Sequence, residues 1–400
     1  MRLLSLLIWL FTCNIISAQH FNLENLPKNK ERNKYKLVQD IKKYDAYGFD
    51  IMEFYNYVKK HNGGSINLLS NDKEISLDLL PIEILSNSFK ISTINTKGVH
   101  TETEKIEFRT YEVISSENPE TKTILYVSPD RLSGEFILDR KLVRINSVPE
   151  SKSEIIIYLA EDFQESSNHS CGNEITEVTL TGTEADRTAS EELECVEIQY
   201  SILFDYEAYV KSGYSIQTCV EDGIETTLYT QSVFNNGQLS SNVNFKINNI
   251  LVVIEEECPP FTDSDKAREI ILSYRDWAST NDYQNEDLLT LWTGKDIESG
   301  DNYYVIGVAS SLVGSSYIPV NVNEYIPGNG LITEKSVLNH EIGHNFTGAH
   351  NICLDVPYVM NFNASYYGPA WSEIFQDNCT RDNVTRINDF LSSPLVGILS

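Results

Sequence analysis

Apolar positions change texture along the chain, and each texture predicts a different kind of element. Between Ser65 and Ala160 they fall in short alternating or β-branched runs: K-I-E-F-R-T-Y-E-V-I (105–114), T-I-L-Y-V-S (123–128), E-F-I-L-D (135–139), K-L-V-R-I (141–145) and E-I-I-I-Y-L-A (154–160). A period of two puts apolar side chains on one face of a strand, and turn residues separate the runs. The spacing therefore predicts a β-rich module. Ahead of it, a Lys- and Asn-rich stretch over 27–64 contains one expected helix, around Ile51–Lys60. Residues 161–194 turn polar and acidic, as in E-D-F-Q-E-S-S-N-H-S-C-G-N-E and T-G-T-E-A-D-R-T-A-S-E-E, and read as a linker.

From Cys195 strands and helices alternate. E-I-Q-Y-S-I-L-F-D (197–205) leads into a helix-like Y-E-A-Y-V-K. F-K-I-N-N-I-L-V-V-I-E (245–255), a helix near A-R-E-I-I-L-S-Y-R-D-W-A (267–278) and the strand Y-Y-V-I-G-V-A (303–309) follow. That order predicts an α/β unit whose mostly parallel sheet is covered by helices. A last helix is expected over 383–392, and no internal repeat is present.

The polar positions of one further helix carry the chemistry. T-E-K-S-V-L-N-H-E-I-G-H-N-F follows the turn P-G-N-G (327–330) and opens with Thr333, the expected N-cap. Leu338, Ile342 and Phe346 recur every four residues and predict its buried stripe. His340 and His344 then stand one turn apart on one side, where two imidazoles can converge on Zn²⁺. Glu341 projects beside them as the base for a metal-bound water. Gly348 supplies a turn that lets His350 return as third ligand, leaving a fourth position for water.

The first residues, M-R-L-L-S-L-L-I-W-L-F-T-C-N-I-I-S-A-Q, place Arg2 before an apolar run from Leu3 to Phe11 and small residues at Ser17 and Ala18. The run is too short to span a bilayer and reads as a secretory signal over 1–18, so the chain is expected to be exported. A lipoprotein anchor at Cys13 is the alternative, disfavoured by its neighbours Phe11 and Thr12. No second apolar run of about 20 residues occurs, so no membrane span is expected.

Composition narrows the partners. The 400 residues, 41% hydrophobic and 10% aromatic, can bury the cores of two or three domains. A net charge of −27 excludes nucleic acid, whose phosphates need clustered Lys and Arg, and otherwise serves solubility. Six cysteines follow the signal: Cys171, Cys195, Cys219, Cys258, Cys353 and Cys379. An even count in an exported chain suggests disulfides, none shows CxxC spacing, and the pairing stays open. The sequons at Asn168, Asn363, Asn378 and Asn383 are expected acceptors only in a eukaryotic secretory route. Arg187 is a lone candidate for cleavage in the linker, and no further module is expected beyond the last helix.

H-E-x-x-H with a third histidine six residues on resembles the metzincin zinc peptidases, and Met360 in V-P-Y-V-M-N (356–361) stands where their methionine turn is expected. H-E-I-G-H-N-F is similar to the adamalysin (reprolysin, ADAM-type) group. Y-S-I-L-F-D-Y-E-A-Y (200–209), L-L-T-L-W-T-G-K-D (288–296) and Y-Y-V-I-G-V-A-S-S (303–311) agree with that resemblance. It is strong over about 197–392 and visible upstream, where S-P-D-R-L-S-G-E-F-I-L-D (128–139) is similar to an adamalysin propeptide.

The resemblance implies a signal peptide (1–18), a β-rich propeptide (19–160), a linker (161–194) and a two-subdomain α+β metzincin catalytic domain (195–395) with an antiparallel edge strand. It implies a monomeric zinc endopeptidase acting on protein or peptide substrates and held latent by its own propeptide. Cys171, in H-S-C-G-N, would be the cysteine switch, unless it pairs with a cysteine such as Cys195. Cys353 and Cys379 would form a disulfide flanking the methionine turn. The S1′ pocket would be lined within N-A-S-Y-Y-G-P-A-W (363–371). One Zn²⁺ is expected; Ca²⁺ is not indicated.

Two positions depart from the pattern. The family glycine after the second histidine is Thr347 here, and the residue after the third histidine is Asn351 rather than Asp. Either the turn shifts to Gly348 or the loop is strained. The alternative readings are a zinc-loaded but inactive exported binding protein, and a structural metal site in an adhesin-like protein. Glu341 argues against both, since a structural site needs no base.

Overall fold

A computed structural model describes residues 19–26, 41–70, 73–101, 105–115, 118–148, 151, 153–163, 195–257, 264–281, 283, 285–298, 304–310, 312–315, 318–327, 332–350, 359–360 and 382–393. These form two large sheets, of ten and seven strands, with helices on both faces of the second.

The alternating runs of the first half build the ten-stranded sheet. Its antiparallel body runs from Gly64–Ser70 through Lys73–Pro81, Arg109–Ser115, Asn118–Val127, Leu132–Leu138, Lys141–Ser147 and Glu154–Leu159 to Asp45–Gly48. The strands at its two ends, Gln19–Asn22 and Glu24–Asn25, are one continuous segment broken only at Leu23. That segment pairs with Gly64–Ser70 on one side and Asp45–Gly48 on the other, so the sheet closes on itself and leaves no open edge. Helix α1 (Ile51–His61) matches the expected helix. Asp50 caps it by accepting from the Glu53 amide at 2.8 Å, and Asn62 ends it in the left-handed region at φ 53°. Its stripe of Ile51, Phe54, Tyr55 and Val58 fills the core inside the curled sheet.

The second half forms the seven-stranded sheet. Cys195–Phe204 lies parallel to Asn242–Val253 on one side and to Leu288–Thr293 on the other. Val320–Glu324 continues the parallel order, and Gly307–Ser310 closes it as an antiparallel edge. The mostly parallel sheet with one antiparallel edge strand is thus present. The run expected as one strand over 303–309 is divided: Tyr304–Val305 pairs with Ile297–Glu298 in a separate ribbon, and only Gly307–Ser310 reaches the sheet.

At the opposite end the sheet takes in strands from upstream. Leu85–Asn95 lies parallel to Asn242–Val253, and Gly98–Thr101 folds back on it as a hairpin. The chain leaves the first sheet after Lys73–Pro81, crosses to the second, and returns at Arg109–Ser115, which pairs with the strand it left. The linear boundary near 160 therefore does not divide the strands in space. Asn242–Val253 would otherwise present a row of unpaired backbone groups, and the hairpin covers it.

Helices α2 (Tyr206–Lys211), α3 (Ile216–Phe234), α4 (Ala267–Thr280), α5 (Ile332–Asn345) and α6 (Asn383–Leu391) complete the second half. Alternate residues of the central strand point to opposite faces. Ile202 and Phe204 join a core with α3, α5 and α6, while Leu203 joins α4 on the other side. Helix α3 has no counterpart among the sequence expectations. It is buried on almost every side and carries Glu221, Asp222, Glu225 and four threonines, so no amphipathic stripe marks it. Helix α5 begins at Ile332, which places Thr333 inside it rather than at its cap. Its expected stripe of Leu338, Ile342 and Phe346 is fully buried, but so are Glu334, Lys335, Ser336 and Asn339 on its other faces.

Among the described residues Cys195 and Cys219 are free thiols, one exposed and one buried. Residues 1–18, Cys171, Arg187, Cys258, Asn351, Cys353, Cys379 and residues 363–371 lie outside the described residues. Among the described residues no helix is long and apolar enough to cross a membrane.

Candidate metal centre

Helix α5 delivers two imidazoles one turn apart, and the loop after it returns a third. The Nε2 atoms are separated by 3.2 Å (His340–His344), 3.1 Å (His340–His350) and 3.0 Å (His344–His350). Nδ1 of His340 lies 2.8 Å from the Val359 carbonyl oxygen, and Nδ1 of His344 lies 2.9 Å from that of Gly348. A carbonyl only accepts, so each Nδ1 carries the proton and each Nε2 is left with a lone pair aimed inward. Lone pairs at this separation repel unless a cation lies among them. Burial keeps the rings neutral. It lowers His340 to about 4 and, with repulsion from His340, lowers His350 to about 3. It pushes His344 well below its ordinary value, and both neighbouring imidazoles add to that.

The donor set fits a zinc ion. Nitrogens bound tetrahedrally at about 2.0–2.1 Å stand roughly 3.3 Å apart, close to the observed triangle. Among the described residues the metal-ligating group consists of these three histidines. Glu341 follows the first of them and is buried. The edge strand packs directly on its side chain: a Cβ at Gly307 would lie 2.6 Å from Glu341 Oε1 and 2.8 Å from Val337 Cγ1. Sequence reasoning missed Gly307, although a glycine inside a strand pattern is itself a mark of close approach.

The turn that brings His350 back answers the question raised by Thr347. Gly348 N–H donates to the Gly343 carbonyl at 2.7 Å, and Thr347 N–H to that of His344 at 3.0 Å. These two bonds are a Schellman motif, which needs a left-handed residue at the position Thr347 occupies. Thr347 adopts it, with φ 70°. The turn has not shifted; the threonine takes the glycine's conformation, and the histidines converge all the same. Gly348 is required for space instead, since a Cβ there would meet the Gly343 carbonyl oxygen at 2.8 Å and Met360 Sδ at 3.0 Å. Met360 is buried beneath the loop, and its neighbour Val359 orients His340.

A second buried polar cluster lies toward the start of α5. Lys335 Nζ pairs with Glu225 Oε1 of α3 at 2.7 Å. Arg131, from the first sheet, reaches Asp222 Oδ1 at 2.6 Å and Glu225 Oε2 at 3.1 Å. Ser133 donates to Glu225, Tyr325 donates to Asp222, and Arg144 joins Glu135 to the Tyr229 hydroxyl. Burial raises the Asp222 carboxyl, which Arg131 opposes. At Glu225 the cations Lys335 and Arg131 more than offset burial and hold the carboxyl below its usual range.

Residues 197–381 match the metallo-peptidase family M12 (Reprolysin_5). M12 peptidases use zinc, and all three histidines and Glu341 fall inside the matched span. The matched span begins within the central strand Cys195–Phe204, and the hairpin over 85–101 that joins the same sheet lies outside it. A crystal structure of metalloproteinase-II from Bacteroides fragilis is similar at 12% identity with a TM-score of 0.48, covering 85% of this chain and 96% of that one. No curated protein matches the chain.

Asn383, expected as a glycan acceptor, is fully buried with both amide atoms bonded to Ala349, so the folded chain has no room for a glycan there.

Proposed function

We propose that this chain is the precursor of an exported zinc endopeptidase of the adamalysin type. The observation that carries the reading is the triangle of neutral Nε2 atoms 3.0–3.2 Å apart on a helix that also bears Glu341. His340, His344 and His350 would hold the ion. When bound, zinc would polarise the scissile carbonyl and lower the pKa of a water to about 7. Glu341 takes the proton of the attacking water and passes it to the leaving amine, the work of a general base that then acts as an acid. The Gly307–Ser310 strand, last in its sheet, offers its outer backbone groups to a peptide lying antiparallel.

The signal at 1–18, the propeptide at 19–160, the linker and the catalytic unit at 195–395 are parts of the same proposal. So are latency through Cys171, a Cys353–Cys379 disulfide and a monomeric enzyme. Met360 under the histidine loop supports the metzincin assignment.

The test is casein cleavage by the full chain nicked by limited proteolysis within 161–194, which leaves the 85–101 hairpin and Arg131 in place, with and without a chelator, beside Glu341→Gln. The substitution should leave zinc bound one per chain and lower kcat by about 100-fold or more, the range of general acid–base catalysis. Cleavage that survives the chelator or the substitution would sink the mechanism. A wild type that binds zinc and cleaves nothing would favour the inactive binding protein.

A further inference from the structure

The third metal ligand is held from an unexpected direction. We propose that Asn383, seconded by Arg386, is a positioning residue for His350: helix α6 clamps the loop that carries the ligand. This rests on the reading of His350 as a zinc ligand. The Asn383 side chain pairs with Ala349, the residue just before His350, as a neighbouring strand would. Its Oδ1 accepts from Ala349 N–H at 2.8 Å and its Nδ2 donates to the Ala349 carbonyl at 3.1 Å. Both backbone groups beside the ligand are thereby fixed by one buried side chain.

Three residues along α6, Arg386 repeats the arrangement at Thr347. Its Nε donates to the Thr347 carbonyl at 3.0 Å, and Thr347 Oγ1 donates to the Arg386 carbonyl at 3.1 Å. That second pair engages the one loop residue held in a left-handed conformation its β-branched side chain disfavours. The clamp has its own support. Asp382 caps α6 by accepting from Thr385 N–H at 2.9 Å, which sets Asn383 in the first turn. Phe390 packs edge-on against Phe346, 5.7 Å between centroids, which joins α6 to the end of α5. The turn at Thr347 and Gly348 starts the loop back toward the helix, and α6 fixes its backbone at Ala349, one residue before His350. Partners of this kind, one step removed from the metal, typically change its affinity by about 10- to 100-fold.

The experiment measures zinc affinity of the full chain by chelator competition, in wild type and His350→Ala backgrounds. Asn383→Ala should weaken zinc about 10- to 100-fold in the wild type and have no further effect once His350 is gone, because the clamp acts through that ligand. Arg386→Ala, which removes only the donor to the Thr347 carbonyl, should weaken zinc less than Asn383→Ala but more than about threefold, with no further effect once His350 is gone, and covers the case in which Asn383→Ala does not fold. Affinity within about threefold of wild type for Asn383→Ala, or an equal loss in both backgrounds, overturns the clamp. If His350→Ala binds zinc as wild type does, the ligand assignment falls first and the clamp with it.

Discussion

Helix α5 carries a polar cluster at each end, and the two differ in where their charge balance comes from. Toward the C-terminus stand three neutral imidazoles, all drawn from residues 340–350, with lone pairs facing one another. Toward the N-terminus Lys335 joins Glu225, Asp222 and Arg131, groups brought together across as many as 202 residues in the contact of Lys335 with Ser133. The charged cluster contains its own cations and is complete as it stands. The neutral cluster aims three Nε2 atoms at a common point, so it is completed by a cation from outside. Buried groups of one kind converging on a point mark a binding site; buried acids joined to bases mark cohesion.

The hardest test of that contrast is to remove a cation from the paired cluster. Arg131→Met should lower stability by about 3–5 kcal/mol, because Asp222 and Glu225 lose a partner they cannot replace with water. Urea unfolding measures it, and a loss under about 0.5 kcal/mol would mean the cluster is not cohesive. Zinc affinity of the variant that still folds should match the wild type.

Asp205 shows what a buried carboxylate becomes without a cation. It caps α2 through Ala208 N–H at 2.7 Å and also accepts from Gly294 N–H at 2.9 Å, yet burial, with Glu207 adding repulsion, raises it from 3.8 to about 6. A raised acid binds more protons folded than unfolded, so its contribution is most favourable below about 4. It declines as pH rises through about 6, by roughly 3 kcal/mol in all. Asp205→Asn keeps the cap and removes the titration, so the variant should gain on the wild type steadily between pH 4 and pH 7. A constant difference across that range in pH-dependent thermal unfolding would contradict the burial of an uncompensated charge.

The smallest change probes the histidine cluster. Gly307 does not need a glycine conformation, only space beside Glu341. Gly307→Ala should displace the carboxylate by about 1 Å and cost about 100-fold in kcat, with zinc still bound one per chain. Unchanged kcat would show that Glu341 is not held against the edge strand during the reaction.

Legibility followed the same division. The metal triad, the stripe of α5, helices α1 and α6 and five of the ten strands of the closed sheet could be read from residue spacing, because each depends on a local period. Helix α3 could not: buried on nearly every side, it replaces an apolar stripe with carboxylates that only Arg131 and Lys335 make tolerable. The hairpin over 85–101 fell inside the stretch read as one β-rich module. Its alternation states that it has a buried face and says nothing about which sheet provides the partner. Thr347 looked like a defect because its neighbour Arg386 was not in view.

Periodicity alone determined that His340 and His344 share a face with Glu341 between them, since 3.6 residues per turn leaves no other arrangement once the helix forms. It also determined the strands near 197–205 and 245–255 and helices α2, α4 and α6 of the second half. Only the tertiary structure decided that Asn383 fixes the loop before His350, that Gly307 makes room for Glu341 and that Arg131 neutralises α3. Those contacts join residues 34 to 91 positions apart, and no repeat along the chain encodes a distance of that kind.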